Sequence, residues 1–137
     1  MRLLGLGNDI VSIDRITRSI EEKGDRFLQR IFTAHEIAFC QNRGNGMMAA
    51  FARRFAAKEA CSKALGTGIA KGVSWTDIEV QNNADGAPKL VLNGGALKRL
   101  EAMMVKGYEA EIALTLADDK PWANAVVLIM AHKKEEN

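Results

Sequence analysis

The chain has 137 residues, 47% hydrophobic, 26% charged and 6% aromatic, which excludes disorder and makes one domain over 1–137 the expectation. The longest apolar run, Ala125 to Ala131, is far too short to cross a bilayer, and the N-terminus lacks the core and cleavage site of a signal peptide, so a soluble cytoplasmic protein follows. The net charge of +2 divides unevenly: residues 1–70 carry a net +4 and residues 71–137 a net −2, so the first half can face an anionic partner.

In chain order, Leu3 to Val11 reads as a buried strand that ends near Asp9. Ser12 to Lys23 follows as a helix, with Ile13, Ile16 and Ile20 at helical spacing, Ser12 as its cap and Gly24 as its stop. Arg26 to Phe32 is a short helical piece. Thr33-Ala34-His35-Glu36 has the form of a capping box, so a helix should run from Thr33 to about Asn42. After the break at Gly44-Asn45-Gly46, Met47 to Leu65 is a long alanine-rich helix stopped by Gly66. The period then changes. Trp75 to Gln81 alternates like a strand, Asn83 to Gly86 turns, and Lys89 to Leu92 returns. Gly95 to Lys106 is an amphipathic helix. Glu109 to Ala117 and Ala123 to Ala131 pair around a turn at Asp118-Asp119-Lys120-Pro121. The order strand, helices, two strands, helix, two strands predicts an α+β fold with a mainly antiparallel sheet packed with helices.

The chemistry concentrates in Arg53-Arg54-Phe55-Ala56-Ala57-Lys58-Glu59-Ala60-Cys61-Ser62-Lys63. Glu59 and Lys63 lie one turn apart on one helix face. A surface ion pair is the plain reading of two such residues. However, five charges on a helix otherwise rich in Ala and Phe are easier to explain by an anionic ligand. Arg54 and Lys58 suit phosphate groups. Gly66-Thr67-Gly68 lets backbone approach a ligand and offers a hydroxyl, although no Walker loop follows. Asp9, at the end of its strand, is either a helix cap or a metal ligand, with Ser12 better placed to cap. Asp14 favours the dipole of the first helix. Cys40 and Cys61 have no metal spacing and read as buried free thiols. His35 and His132 read as ordinary surface residues. An alternative is a small basic module that binds an acidic protein or RNA without catalysis. The scarcity of aromatics argues against nucleic acid as a partner.

Gly5-Leu6-Gly7-Asn8-Asp9-Ile10-Val11, Arg54-Phe55-Ala56-Ala57-Lys58-Glu59-Ala60 with Lys63, and Gly66-Thr67-Gly68-Ile69 together resemble the holo-acyl-carrier-protein synthases, the small bacterial type of phosphopantetheinyl transferase. Ser74 to Val80 and Asn83 to Pro88 extend the resemblance over nearly the whole chain. It implies the phosphopantetheinyl transferase fold, a homotrimer with active sites at subunit interfaces, and transfer of the phosphopantetheine arm of coenzyme A to a serine of acyl carrier protein in fatty acid biosynthesis. It also implies Mg2+ held by Asp9 and Glu59. Lys63 would reach the phosphates, and Arg54 and Gly66 to Gly68 would contact coenzyme A. Glu59 would also orient or deprotonate the serine. Arg15, Arg18, Arg26 and Arg30 offer a basic face to an acidic carrier. One departure stands out. Relatives carry Ser-His at the end of the penultimate strand, where this chain has Ala117-Asp118, so a histidine contact to the nucleotide is not expected.

Overall fold

The computed structural model describes residues 1–135; the last two residues of the expected 1–137 domain lie outside the described residues. Strand β1 (Arg2–Ser12) leads into helix α1 (Ile13–Lys23), followed by α2 (Asp25–Ile31), α3 (Ala34–Gln41) and the long α4 (Met47–Ala64). Strands β2 (Ile78–Asn82) and β3 (Pro88–Leu92) form a hairpin; α5 (Gly94–Met103) then precedes a second hairpin, β4 (Tyr108–Asp119) and β5 (Trp122–Lys133). All strand pairs are antiparallel, in one sheet ordered β1-β5-β4 and a two-stranded sheet β2-β3. The architecture is the α+β one expected. Among the described residues no helix is long and apolar enough to cross a membrane.

The caps explain where the early helices begin. Ser12 accepts a bond from Arg15 N–H at 3.3 Å. Thr33 and Glu36 form the full capping box, each accepting from the other's backbone. At the end of α4, Gly66 takes φ +80, a conformation that suits glycine, and its N–H closes back onto Lys63 O.

Three boundaries differ from expectation. Trp75–Asp77 is a turn of 3-10 helix and the strand starts at Ile78. Asp77 accepts from Ser74 N–H at 3.0 Å while its own N–H bonds Ser74 O, and this local ring outcompetes the ladder. Helix α5 stops at Met103 because Met104 is already extended, at φ −83 and ψ 143. The turn of the last hairpin contracts to Lys120-Pro121, since Asp118 and Asp119 still pair with Ala123 and Trp122.

Helix α4 is the centre of the molecule. Eleven of its eighteen residues are buried, six of them alanines, and it lies across β1 and β5. Alanine keeps helix propensity high while letting neighbours approach closely. The sheet alternates, apart from a bulge in β1 between Leu3 and Gly5. Val127, Ile129 and Ala131 of β5 face the helix and are buried, while Leu6 and Ile10 of β1 point the other way and stay about 60% exposed.

Candidate active site

Gly5, Gly7, Asp9 and Val11 share the face of β1 turned toward α4. A Cβ at Gly5 would sit 2.1 Å from Ala64 O, and one at Gly7 would sit 1.7 Å from Ala60 O. No side chain fits there, so strand backbone rests directly on helix backbone. Two residues along β1 equal one turn of α4 in this contact. Asp9, two residues beyond Gly7, therefore arrives beside the turn that carries Glu59.

Lys63 completes the group. Side chains on a helix lean toward its N-terminus, which carries the Lys63 ammonium back to Asp9. Nζ donates to Asp9 Oδ1 at 3.1 Å and to Asn8 O at 3.0 Å. The Asp9 side chain is 17% exposed and that of Lys63 is 50% exposed, so the group opens to solvent at the lysine end. Burial pushes the Glu59 carboxyl above its ordinary value; the Asp9 carboxylate pushes it the same way and Lys63 opposes both. A group that holds its proton more firmly than a free glutamate is suited to accept one from a substrate hydroxyl. Lys63 thus bonds Asp9 directly, and Glu59 lies near enough to feel the charge of both.

Asn124 was not anticipated from the sequence. Its amide donates to Asn8 Oδ1 at 2.8 Å and to Asp9 O at 2.9 Å, fixing the strand where the carboxylate emerges. The available signal was one asparagine amid the apolar run of β5.

Arg54 lies elsewhere. It lines a cavity of about 320 Å³ with Arg43, Arg53, Phe39, Asn82 and Pro88. Its guanidinium stacks on Phe39 at 4.2 Å and donates to Asn82 Oδ1 at 3.2 Å. Its Nε is buried without a partner. Arg53, at the same cavity, pairs with Asp118. Three guanidiniums and a free buried donor make this hollow receptive to an anion. Arg53 is one of the five charges of the α4 motif, whereas Arg43 falls outside that motif and carries no ligand signal in the sequence.

One expectation requires correction. Lys58, read as a phosphate contact, has no solvent-exposed surface; its Nζ is 2.7 Å from Glu36 Oε1 and donates to Trp75 O and Ile78 O. Burial pulls its pKa down and the Glu36 carboxylate resists this. All three donors are consumed, so Lys58 cannot reach a phosphate. The Gly66-Thr67-Gly68 loop is also more closed than its composition implies. Thr67 and Gly68 N–H both bond Ser62 O, and the Thr67 hydroxyl donates to Gly68 O at 2.8 Å. The hydroxyl oxygen keeps acceptor capacity, but these two amides serve the helix end.

Arg15 and Arg18 on α1 and Arg26 and Arg30 on α2 are all exposed. Arg26 and Arg30 share a hollow with Glu22, Lys23 and Phe27. His35 is exposed, as expected; His132 is half-buried and pairs with Glu111.

Residues 5–117 match the family model of the 4'-phosphopantetheinyl transferase superfamily. The chain belongs to that superfamily. Its relatives in the transferase superfamily include the holo-[acyl-carrier-protein] synthase of Mesorhizobium japonicum, 50% identical over 134 residues that cover 98% of this chain and 97% of that protein. Another is the holo-[acyl-carrier-protein] synthase of Parvibaculum lavamentivorans, 51% identical over 128 residues, 93% of this chain and 95% of that protein. Among solved transferases, the holo-[acyl-carrier-protein] synthase of Neisseria meningitidis superposes with a TM-score of 0.81 at 35% identity, covering 94% of this chain and 99% of that one. The Helicobacter pylori synthase in complex with coenzyme A superposes with a TM-score of 0.77 at 31% identity, over 91% and 99% of the two chains.

Proposed function

We propose that this chain is a holo-acyl-carrier-protein synthase, moving the 4'-phosphopantetheine arm of coenzyme A onto a serine of apo-acyl carrier protein. The observation that carries this is the meeting of Asp9, Glu59 and Lys63, in a transferase whose relatives at about half identity bear that name. The serine oxygen forms a bond to the phosphorus bearing pantetheine, the bond from that phosphorus to the bridging oxygen breaks, and adenosine 3',5'-bisphosphate leaves. Such transfers depend mainly on positioning and on neutralising charge.

Each residue has a role. The Glu59 carboxylate accepts the serine proton. The Lys63 ammonium, at the open side of the group, faces the charge that develops on the departing phosphate. The Arg54 cavity, with Arg43 and Arg53, takes a second phosphate of coenzyme A. The loop at Gly66 to Gly68 would meet coenzyme A through the remaining acceptor capacity of the Thr67 hydroxyl. Asp118 tempers the charge of Arg53.

Magnesium fits the donors present. Among the described residues no group of three or more His, Cys, Asp and Glu comes together, whereas Asp9 and Glu59 supply two hard oxygen donors. That is the protein share customary for magnesium, with phosphate oxygens and water completing the shell. When bound by Asp9 and Glu59, the ion would neutralise charge on the pyrophosphate.

The apolar outer face of the sheet supports a homotrimer. Leu3, Leu6 and Ile10 are each about 60% exposed on β1, beside Val126 and Leu128 of β5. A run of this kind is rare on a free monomer surface. The free thiols Cys40 and Cys61 suit a reducing compartment and a cytoplasmic site of action.

The test is transfer itself. Apo-carrier incubated with coenzyme A and magnesium should gain the mass of the arm. Glu59→Gln and Lys63→Ala should each slow that gain by about 100-fold or more. Wild-type rates in both variants would remove these roles, and no gain on any carrier would favour a binding protein.

A further inference from the structure

The pair Glu36–Lys58 has no exposed surface on either side chain and no place in the transfer chemistry. It is nevertheless fully bonded. Glu36 accepts from Thr33 N–H at 2.9 Å and from Val80 N–H at 2.8 Å, while Lys58 holds the carbonyls of Trp75 and Ile78. The start of α3, the middle of α4 and the start of β2 meet at this point. Stability alone does not account for it, because a buried ion pair is often no better for folding than apolar residues of the same size.

The other side of α4 suggests what the pair supplies. There the helix rests on Gly5 and Gly7 through Ala60 and Ala64, backbone against backbone. That contact fixes how closely α4 approaches the strand, yet Gly5 and Gly7 have no side chain to interlock with the helix and fix its rotation. Lys58 is the charged peg among the anchors away from β1, beside the aromatic contacts Phe51–Phe32 and Phe55–Trp75, and Glu59 is its immediate neighbour, about 100° around the helix. A carboxylate about 6 Å from the axis moves by about 1 Å for a roll of about 10°. A displacement of that size can cost about 100-fold in rate.

We propose that Glu36 and Lys58 are positioning residues for phosphopantetheine transfer: their buried pair sets the rotation and height of α4, and so aims Glu59 and Lys63 at Asp9. This rests on the transfer site described above. The test is the double variant Glu36→Gln with Lys58→Met, which removes both charges and keeps the volume, while the amide oxygen still accepts one of the two backbone N–H groups that Glu36 holds. Lys58→Met alone strands a buried carboxylate and should lower Tm sharply. The double variant should regain part of that lost Tm, keep KM for coenzyme A and for carrier within about threefold, and lose about 10- to 100-fold in kcat. Glu36→Asp, which keeps both charges but shortens the tether, should show a smaller kcat loss. It carries the test if the double variant does not fold.

Wild-type kcat in the folded double variant would overturn the proposal and leave the pair purely structural. A loss confined to KM would overturn it as well. Glu59→Gln is run in parallel. If it is inactive while the double variant has wild-type kcat, only the positioning role fails; if it too is fully active, the transfer site itself has been misassigned.

Discussion

Adjacent residues of α4 have unrelated fates. Lys58 is sealed, Glu59 faces Asp9 and Arg54 opens on a cavity, because each step around the helix turns about 100°. The shared face of Glu59 and Lys63 was readable from their spacing. Asp9 was not readable from spacing, and only the family resemblance tied it to them. The sealing of Lys58 was hidden, since Glu36 is distant in sequence and already accounted for by its capping box. Arg54→Met should raise KM for coenzyme A by about 10- to 100-fold with kcat little changed, as expected for a group that grips substrate away from the reacting atoms. The buried thiols give a second expectation. Burial pushes Cys40 up to about 11 and Cys61 up to about 12 from an ordinary value of 9.0. The folded state therefore favours the protonated thiols. Their contribution to stability is complete below about pH 9 and is lost as pH rises from there toward 11 and 12. Tm should fall across that window, and Cys61→Ala should flatten the fall. At neutral pH, labelling by a thiol reagent should proceed only as fast as the protein opens.

At the scale of elements, the fit of β1 onto α4 is the most constrained contact. Gly7→Ala would force a methyl into Ala60 O and should destabilise the fold by at least about 3 kcal/mol, measured by denaturant unfolding. Gly46→Ala is the contrast. Gly46 has φ −87 and, its chain neighbours aside, its Cβ would come no closer than 4.0 Å to another atom, so stability should change by less than about 1 kcal/mol. Helix starts were legible because caps are written locally in Ser12 and in the Thr33–Glu36 box. The start of β2 was not, because alternation in Trp75 to Gln81 is equally consistent with a turn, and the Ser74–Asp77 ring decides it. The overrun of α5 has the same character: its apolar spacing continues to Met104, but the backbone has already straightened there.

At the scale of the molecule, charge and greasy surface occupy different places. The exposed arginines of α1 and α2 should make encounter with an acidic carrier sensitive to salt. KM for the carrier should rise several-fold between low and physiological ionic strength, and Arg15→Ala with Arg18→Ala should blunt that rise. The sheet face should govern assembly. Ile10→Glu should shift the sedimentation of the protein toward a single chain. The composition foretold the basic first half, but not where the exposed leucines would gather, because that depends on how three strands from both chain ends line up. From Gly5 onward the two demands alternate along β1 residue by residue: odd positions are turned to the helix and carry the carboxylate, even positions are turned outward and carry leucine and isoleucine, while a bulge between Leu3 and Gly5 shifts the phase before them. One residue inserted between Gly5 and Asp9 would exchange these two sets, pressing a leucine into a seat with no room for a methyl and delivering the acid to the greasy side. Catalysis and assembly would fail in the same step, so this strand can change its letters in evolution but not its parity.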